Sequence, residues 1–140
     1  MVDPGLMSFT IASVTRSGAG LPGLPLALAA PCLEAVLLEP RAKRAAFLRA
    51  AVSLLGLTNV QVLEQRLESL QPAGYELVCV RGLDWRPLAA QIASQLGPWG
   101  RLLTFEKTRI EPEPAPEWRL LRSFPLGRLS LKVWLPTSAD

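Results

Sequence analysis

Three glycines fix the first strand-to-helix junction of this chain. In "TRSGAGLPGLPLAL" (15–28), Gly18, Gly20 and Gly23 stand in a G-x-G-x-x-G frame, and the apolar run "SFTIASV" precedes them. A short apolar run bounded by such a loop reads as a buried strand, Phe9–Val14. Glycine lets the backbone approach a ligand without a Cβ clash. The helix start behind the loop favours negative charge, either a pyrophosphate or the carboxylate of an amino-acid ligand. The frame thus asks for a strand, a tight loop and a helix, the opening unit of an α/β fold.

The rest of the chain continues that alternation. Pro22 suits the first turn of a helix that runs through "LPLALAA" and ends at Pro31. "EAVLLE" (34–39) is a second strand. "PRAKRAAFLRAAVSLLG" (40–56) is the clearest helix, with Leu48, Ala51, Val52 and Leu55 on one face and Gly56 as its stop. Strands follow at 60–65 and 75–80. A helix at 85–96 is closed by Gly97-Pro98, and a fifth strand occupies 100–107. The order βαβαβ, then βαβ, predicts an open, mostly parallel sheet with helices on both faces. "EPEPAP" (111–116) is a Pro-rich connector without a helix signal. "EWRLLRSF" and "RLSLKVWL", separated by "PLG", predict a C-terminal antiparallel hairpin. No internal repeat is present. With 140 residues and 49% apolar side chains, the chain is expected to form one domain with its own core.

Several chemistries are excluded early. The chain has no histidine, and its two cysteines, Cys32 and Cys79, form no C-x-x-C pair. A zinc site and Ser–His or Cys–His triads are therefore not expected. Cys79 lies in an apolar strand and reads as a reduced core residue. A net charge of +3 is compatible with nucleic acid without arguing for it. The N-terminus has no basic segment leading into a long apolar core, and the apolar run 21–38 is broken by Pro22, Pro25, Pro31 and Glu34. No membrane span and a cytoplasmic location are expected.

An open sheet binds ligands at the carboxyl ends of its strands, and the loop at 16–21 follows the first strand. Glu39 ends the second strand, nineteen residues after Gly20. That spacing suits a carboxylate accepting hydrogen bonds from ribose hydroxyls. A nicotinamide or flavin dinucleotide and S-adenosylmethionine both fit. The plainer alternative is a Gly-rich turn with Glu39 solvated or capping the next helix.

"SGAGLPGLPLALA", "LLEPRAKRAAFLR", "LGLTNVQVLEQRLE" and "YELVCVRGL", in that order, resemble the GidB/RsmG family of S-adenosylmethionine-dependent methyltransferases. Its members modify N7 of a guanine in small-subunit ribosomal RNA. The resemblance implies a class I methyltransferase fold, a Rossmann-like open sheet with a C-terminal antiparallel hairpin, and S-adenosyl-L-methionine as cofactor. It implies ribosomal RNA or the small ribosomal subunit as partner, with a monomer favoured. By the same resemblance, Gly18, Gly20 and Leu21 belong to the cofactor loop. Glu39 is the ribose partner, Leu67 and Glu68 line the adenine pocket, and Arg81 stands at the catalytic junction of cofactor and incoming base. Leu67 as simple packing and Arg81 as a solvated cation are the plainer alternatives.

The chain departs from the family pattern at three places. Val14 stands where the family's loop motif has an acidic residue, and Arg16 where it has its first glycine. The family's N-terminal helical extension is expected to be missing from a single domain over 1–140. "RIEPEPAP" replaces the helix after strand five, and Lys107 is displaced from the family's Lys-Gly position. The expected activity is methyl transfer to guanine N7, weakened by the altered loop. The alternative is a catalytically inactive module of the same fold that binds RNA or cofactor. Guanine N7 carries a lone pair and no proton, so the missing histidine is no obstacle. Trp85 reads as a core residue, with base stacking as its other use.

Overall fold

The computed structural model describes residues 9–15, 20–108 and 115–137. Its strands are β1 (Phe9–Thr15), β2 (Leu33–Leu38), β3 (Val60–Leu63), β4 (Tyr75–Arg81), β5 (Leu96–Lys107), β6 (Trp118–Leu126) and β7 (Leu129–Pro136). Its helices are α1 (Gly23–Ala29), α2 (Ala42–Leu54) and α3 (Ala89–Gln95), with 3-10 turns at Leu67–Ser69 and Arg86–Leu88. The strands form one sheet in the order β3-β2-β1-β4-β5-β7-β6. The first five run parallel, and β7 and β6 join antiparallel as the expected hairpin. The chain starts at the centre of the sheet, winds outward to β3, then crosses to β4 on the other side of β1. That reversal opens a crevice at the carboxyl edge between β1 and β4.

Alternation along the strands divides the core. Ile11, Ala27, Leu33 and Ala35 pack under α1, and Leu37, Ala45, Leu48 and Val62 pack under α2. Ala12, Val14, Val78, Val80, Ile92 and Leu102 fill the opposite face beneath α3. Trp85, Trp118 and Trp134 extend that second layer over the hairpin, with Trp85 centroids 5.4 Å and 5.0 Å from the other two rings. The indole N–H of Trp134 donates to Thr104 Oγ1 at 2.9 Å. Arg86 lies over Trp85 and pairs with Glu106 at 2.9 Å, closing the cluster. Trp85 is 1% exposed and is therefore a core residue rather than a stacking surface for bases.

Local chemistry explains two of the sequence's signatures. Gly20 has φ +70 and its carbonyl accepts the amide of Leu24 at 2.7 Å, which starts α1. A Cβ at Gly23 would lie 2.5 Å from Leu37 Cδ2 and 2.9 Å from Ser13 Cβ, so the third glycine sets how closely α1 sits on β1 and β2. In "LTNV", the Asn59 side-chain amide donates to the carbonyls of Ala27 (3.0 Å) and Leu33 (2.8 Å), tying the end of α1 to the start of β2. The Asn59 carbonyl accepts the amide of Ala35.

Three sequence expectations need correction. Leu48 and Val52 pack on the core as expected and Ala45 joins them, but Leu55 caps α2 from outside and is 46% exposed, and the chain turns at Gly56 (φ +64). Gly97-Pro98 does not open a loop after α3. β5 begins at Leu96, paired with Tyr75, and "GPWG" bulges out before pairing resumes at Leu77–Arg101, leaving Trp99 81% exposed. Pro125 and Leu126 of "PLG" stay inside β6, an edge strand where a missing amide is tolerated, and Gly127 (φ +65) opens the turn. Among the described residues, no helix is long and apolar enough to cross a membrane.

Candidate functional site

The carboxyl ends of β1, β2 and β3 lie level, with Val14 opposite Leu38 and Leu38 opposite Leu63. The segments leaving these strands splay apart around a cleft of about 400 Å³. Its walls come from Val14 and Thr15 after β1, from Glu39 to Arg41 after β2, and from Gln65 to Glu68 after β3. Leu83 and Leu88, beyond β4, close the far side.

Glu39 is the polar centre of this cleft. Its amide donates to Leu63 O at 3.0 Å, which anchors the backbone to the end of β3. The residue is 1% exposed, and its Oε1 has no hydrogen-bond partner among the described residues. Burial raises its pKa above the ordinary carboxylate value, and the Arg41 charge and backbone amide only partly offset this. A buried carboxylate oxygen without a donor is costly unless a ligand supplies one. Paired hydroxyl donors, as on a ribose, match that need.

Leu67 and Glu68 line the same cleft as Glu39. Leu67 is 2% exposed and belongs to the core as well as to the wall, whereas Glu68 is exposed. Gly20 and Leu21 sit at the start of α1 and are not among the lining residues. Gly18 and Arg16 lie outside the described residues. Arg81 ends β4 directly opposite Thr15, and its guanidinium lies 5.7 Å from the centroid of Phe105. It stands beside the cleft rather than in its wall. Sequence reasoning missed Thr15, Gln65, Leu83 and Leu88. Their common signal is position, since each falls just at or after the carboxyl end of a parallel strand.

The order of the sheet and its cleft agree with the sequence of the chain. A family profile described as "GidB: rRNA small subunit methyltransferase G" matches residues 15–113. The chain belongs to the GidB family. A ribosomal RNA small subunit methyltransferase G of Xanthomonas campestris pv. campestris (strain B100) is 38% identical over 133 residues, covering 89% of this chain and 61% of the relative. The protein of that name from Stenotrophomonas maltophilia (strain K279a) is 41% identical over 92 residues, covering 64% of this chain and 43% of the relative. The chain thus spans about half the length of these curated relatives. A SAM dependent methyltransferase from Aquifex aeolicus superposes with a TM-score of 0.70 at 15% identity, covering 91% of this chain and 81% of the other. The GidB chain therefore has the class I methyltransferase fold that its sequence implied.

Proposed function

We propose that this chain binds S-adenosyl-L-methionine in the Glu39 cleft and transfers its methyl group to guanine N7 of small-subunit ribosomal RNA. The observation that carries the reading is the buried, unpartnered Oε1 of Glu39 in a carboxyl-edge cleft of a GidB-family chain. Glu39 would accept the ribose hydroxyls. Leu67 would pack against the adenine, and Glu68 would border it. Gly18, Gly20 and Leu21 would form the loop on the near side. Bound, the cofactor supplies an electrophilic sulfonium methyl.

The protein's own task is positioning. Guanine N7 needs no base, so the site must align the base and exclude water. Near-attack alignment of this kind is worth about 7–11 kcal/mol of barrier. Arg81, opposite Thr15 at the cleft's edge, would donate to the guanine O6 edge and hold N7 forward. A cytoplasmic location accompanies a ribosomal substrate.

The test uses methyl-labelled S-adenosylmethionine and small ribosomal subunits from cells lacking the modification. Label appearing at guanine N7, and its loss in Arg81→Ala at unchanged melting temperature, is the expected result. Label appearing on another atom or on no RNA overturns the proposed reaction. A second reading has its own observation. Val14 lines the cleft where the resemblance leads one to expect an acid, which favours a module that binds without turnover. Binding of S-adenosylhomocysteine together with no transfer selects that reading.

A further inference from the structure

β4, β5, β7 and β6 present two faces; among the described residues one is packed throughout, whereas the other is buried at Cys79 and grows exposed towards the β6 edge. Trp85, Trp118, Trp134 and α3 occupy the first. On the second, residues stand in rows across the strands. Cys79, Leu103, Val133 and Arg122 make one row. Phe105, Leu131 and Phe124 make the next, with the Arg81 guanidinium over Phe105. Lys107, Leu129 and Leu126 make a third. The cores under α1 and α2 are built on β1, β2 and β3 and reach β4 at Leu77, short of β5, β7 and β6. Phe124 is 43% and Leu126 52% exposed.

Among the described residues the charge on this face has one sign. Arg81, Lys107 and Arg122 stand in the rows, and Arg119 stands beside them opposite Leu135. None of these row positions carries a carboxylate, because Glu106 points to the filled face, where it pairs with Arg86 and accepts from Thr104. Cations interleaved with exposed aromatic and aliphatic side chains suit a chain that offers phosphates and flat bases together. A purely apolar partner would leave the arginines uncompensated. The Phe105 row also continues into the cleft, since Arg81 is the register partner of Thr15. From Arg81 to Phe124 the row crosses three strand spacings, about 14 Å.

We infer that this open sheet face is a docking platform for a single-stranded segment of RNA, leading from Phe124 to the Glu39 cleft. The inference rests on the reading of the chain as an RNA-modifying protein. Phe124 and Phe105 stack bases, and Arg122, Arg119 and Lys107 hold phosphates. Bases read in this way must be unstacked, so duplex RNA binds less tightly.

Fluorescence anisotropy of the full chain with a short labelled single-stranded RNA, and with the duplex of the same sequence, tests this across a salt series. Phe124→Ala is expected to weaken single-strand binding about fivefold or more. Arg122→Ala should also weaken it and lower the log–log salt slope by about 0.7. Both side chains are on the exposed edge strand, and melting curves check that the variants fold. S-adenosylhomocysteine affinity, measured separately, should not change in either variant. A wild type that fails to bind that ligand overturns the cofactor reading, whereas the RNA titrations alone decide the platform. Unchanged RNA affinity in both variants overturns it, as does duplex binding equal to single-strand binding. So does a dimer that the two substitutions convert to monomer while RNA binding persists, since the face would then join two copies.

Discussion

Glu39 is held ionisable in a place that favours its neutral form. Below the ordinary carboxylate range both folded and unfolded chains keep the proton, and burial costs nothing. As pH rises through the elevated folded pKa, the folded protein must ionise a buried group, and stability falls. Glu39→Gln should therefore melt higher than wild type at neutral pH without ligand, and the gap should close towards ~pH 4. Thermal melts across pH check this; a gap independent of pH would mean the carboxylate is already satisfied. The sequence spacing placed Glu39 at the strand end, but its burial depends on Leu38, Leu67 and the chain after β3, which no local pattern reports. Cys79 shows the reverse case. Its apolar strand already marked it as core, and burial pushes its thiol up to about 12, leaving exposed Cys32 as the reactive cysteine.

At the scale of elements, Asn59 joins α1, β2 and β3 through one side chain. Replacing its amide by alanine leaves the carbonyls of Ala27 and Leu33 without their donor, at a cost of about 1–3 kcal/mol. Asn59→Asp should cost more than Asn59→Ala, because it aims a negative charge at those carbonyls. Urea unfolding of the two variants checks the order; equal stabilities would show that water replaces the amide. Strands and helices were legible here because period and punctuation agree, as in Phe9–Thr15 and in α2. Legibility failed where one signal served another end. Gly97-Pro98 does follow the end of α3, but it lies in a bulge of β5 rather than before the strand, since the pairing of Tyr75 with Leu96 starts the strand earlier. Leu55 kept the helical period yet fell outside the helix, where it is 46% exposed.

For the whole molecule, the alternation of elements predicted the parallel sheet and the terminal hairpin that the strand order shows. The gathering of Trp85, Trp118 and Trp134 into one cluster was not legible, because they are far apart in sequence and meet only when β7 inserts between β5 and β6. The central claim is that the cleft at the carboxyl edge is an adenosine-cofactor site organised by Glu39. Calorimetric titration of S-adenosylhomocysteine into wild type and Glu39→Ala, with NAD as the rival ligand, tests it most directly. Saturable binding to wild type is expected, with none of comparable affinity for NAD, and a loss of about 1.5–3 kcal/mol in Glu39→Ala, roughly tenfold to a hundredfold. Equal affinity of the two proteins for S-adenosylhomocysteine, or tighter binding of NAD, would contradict it.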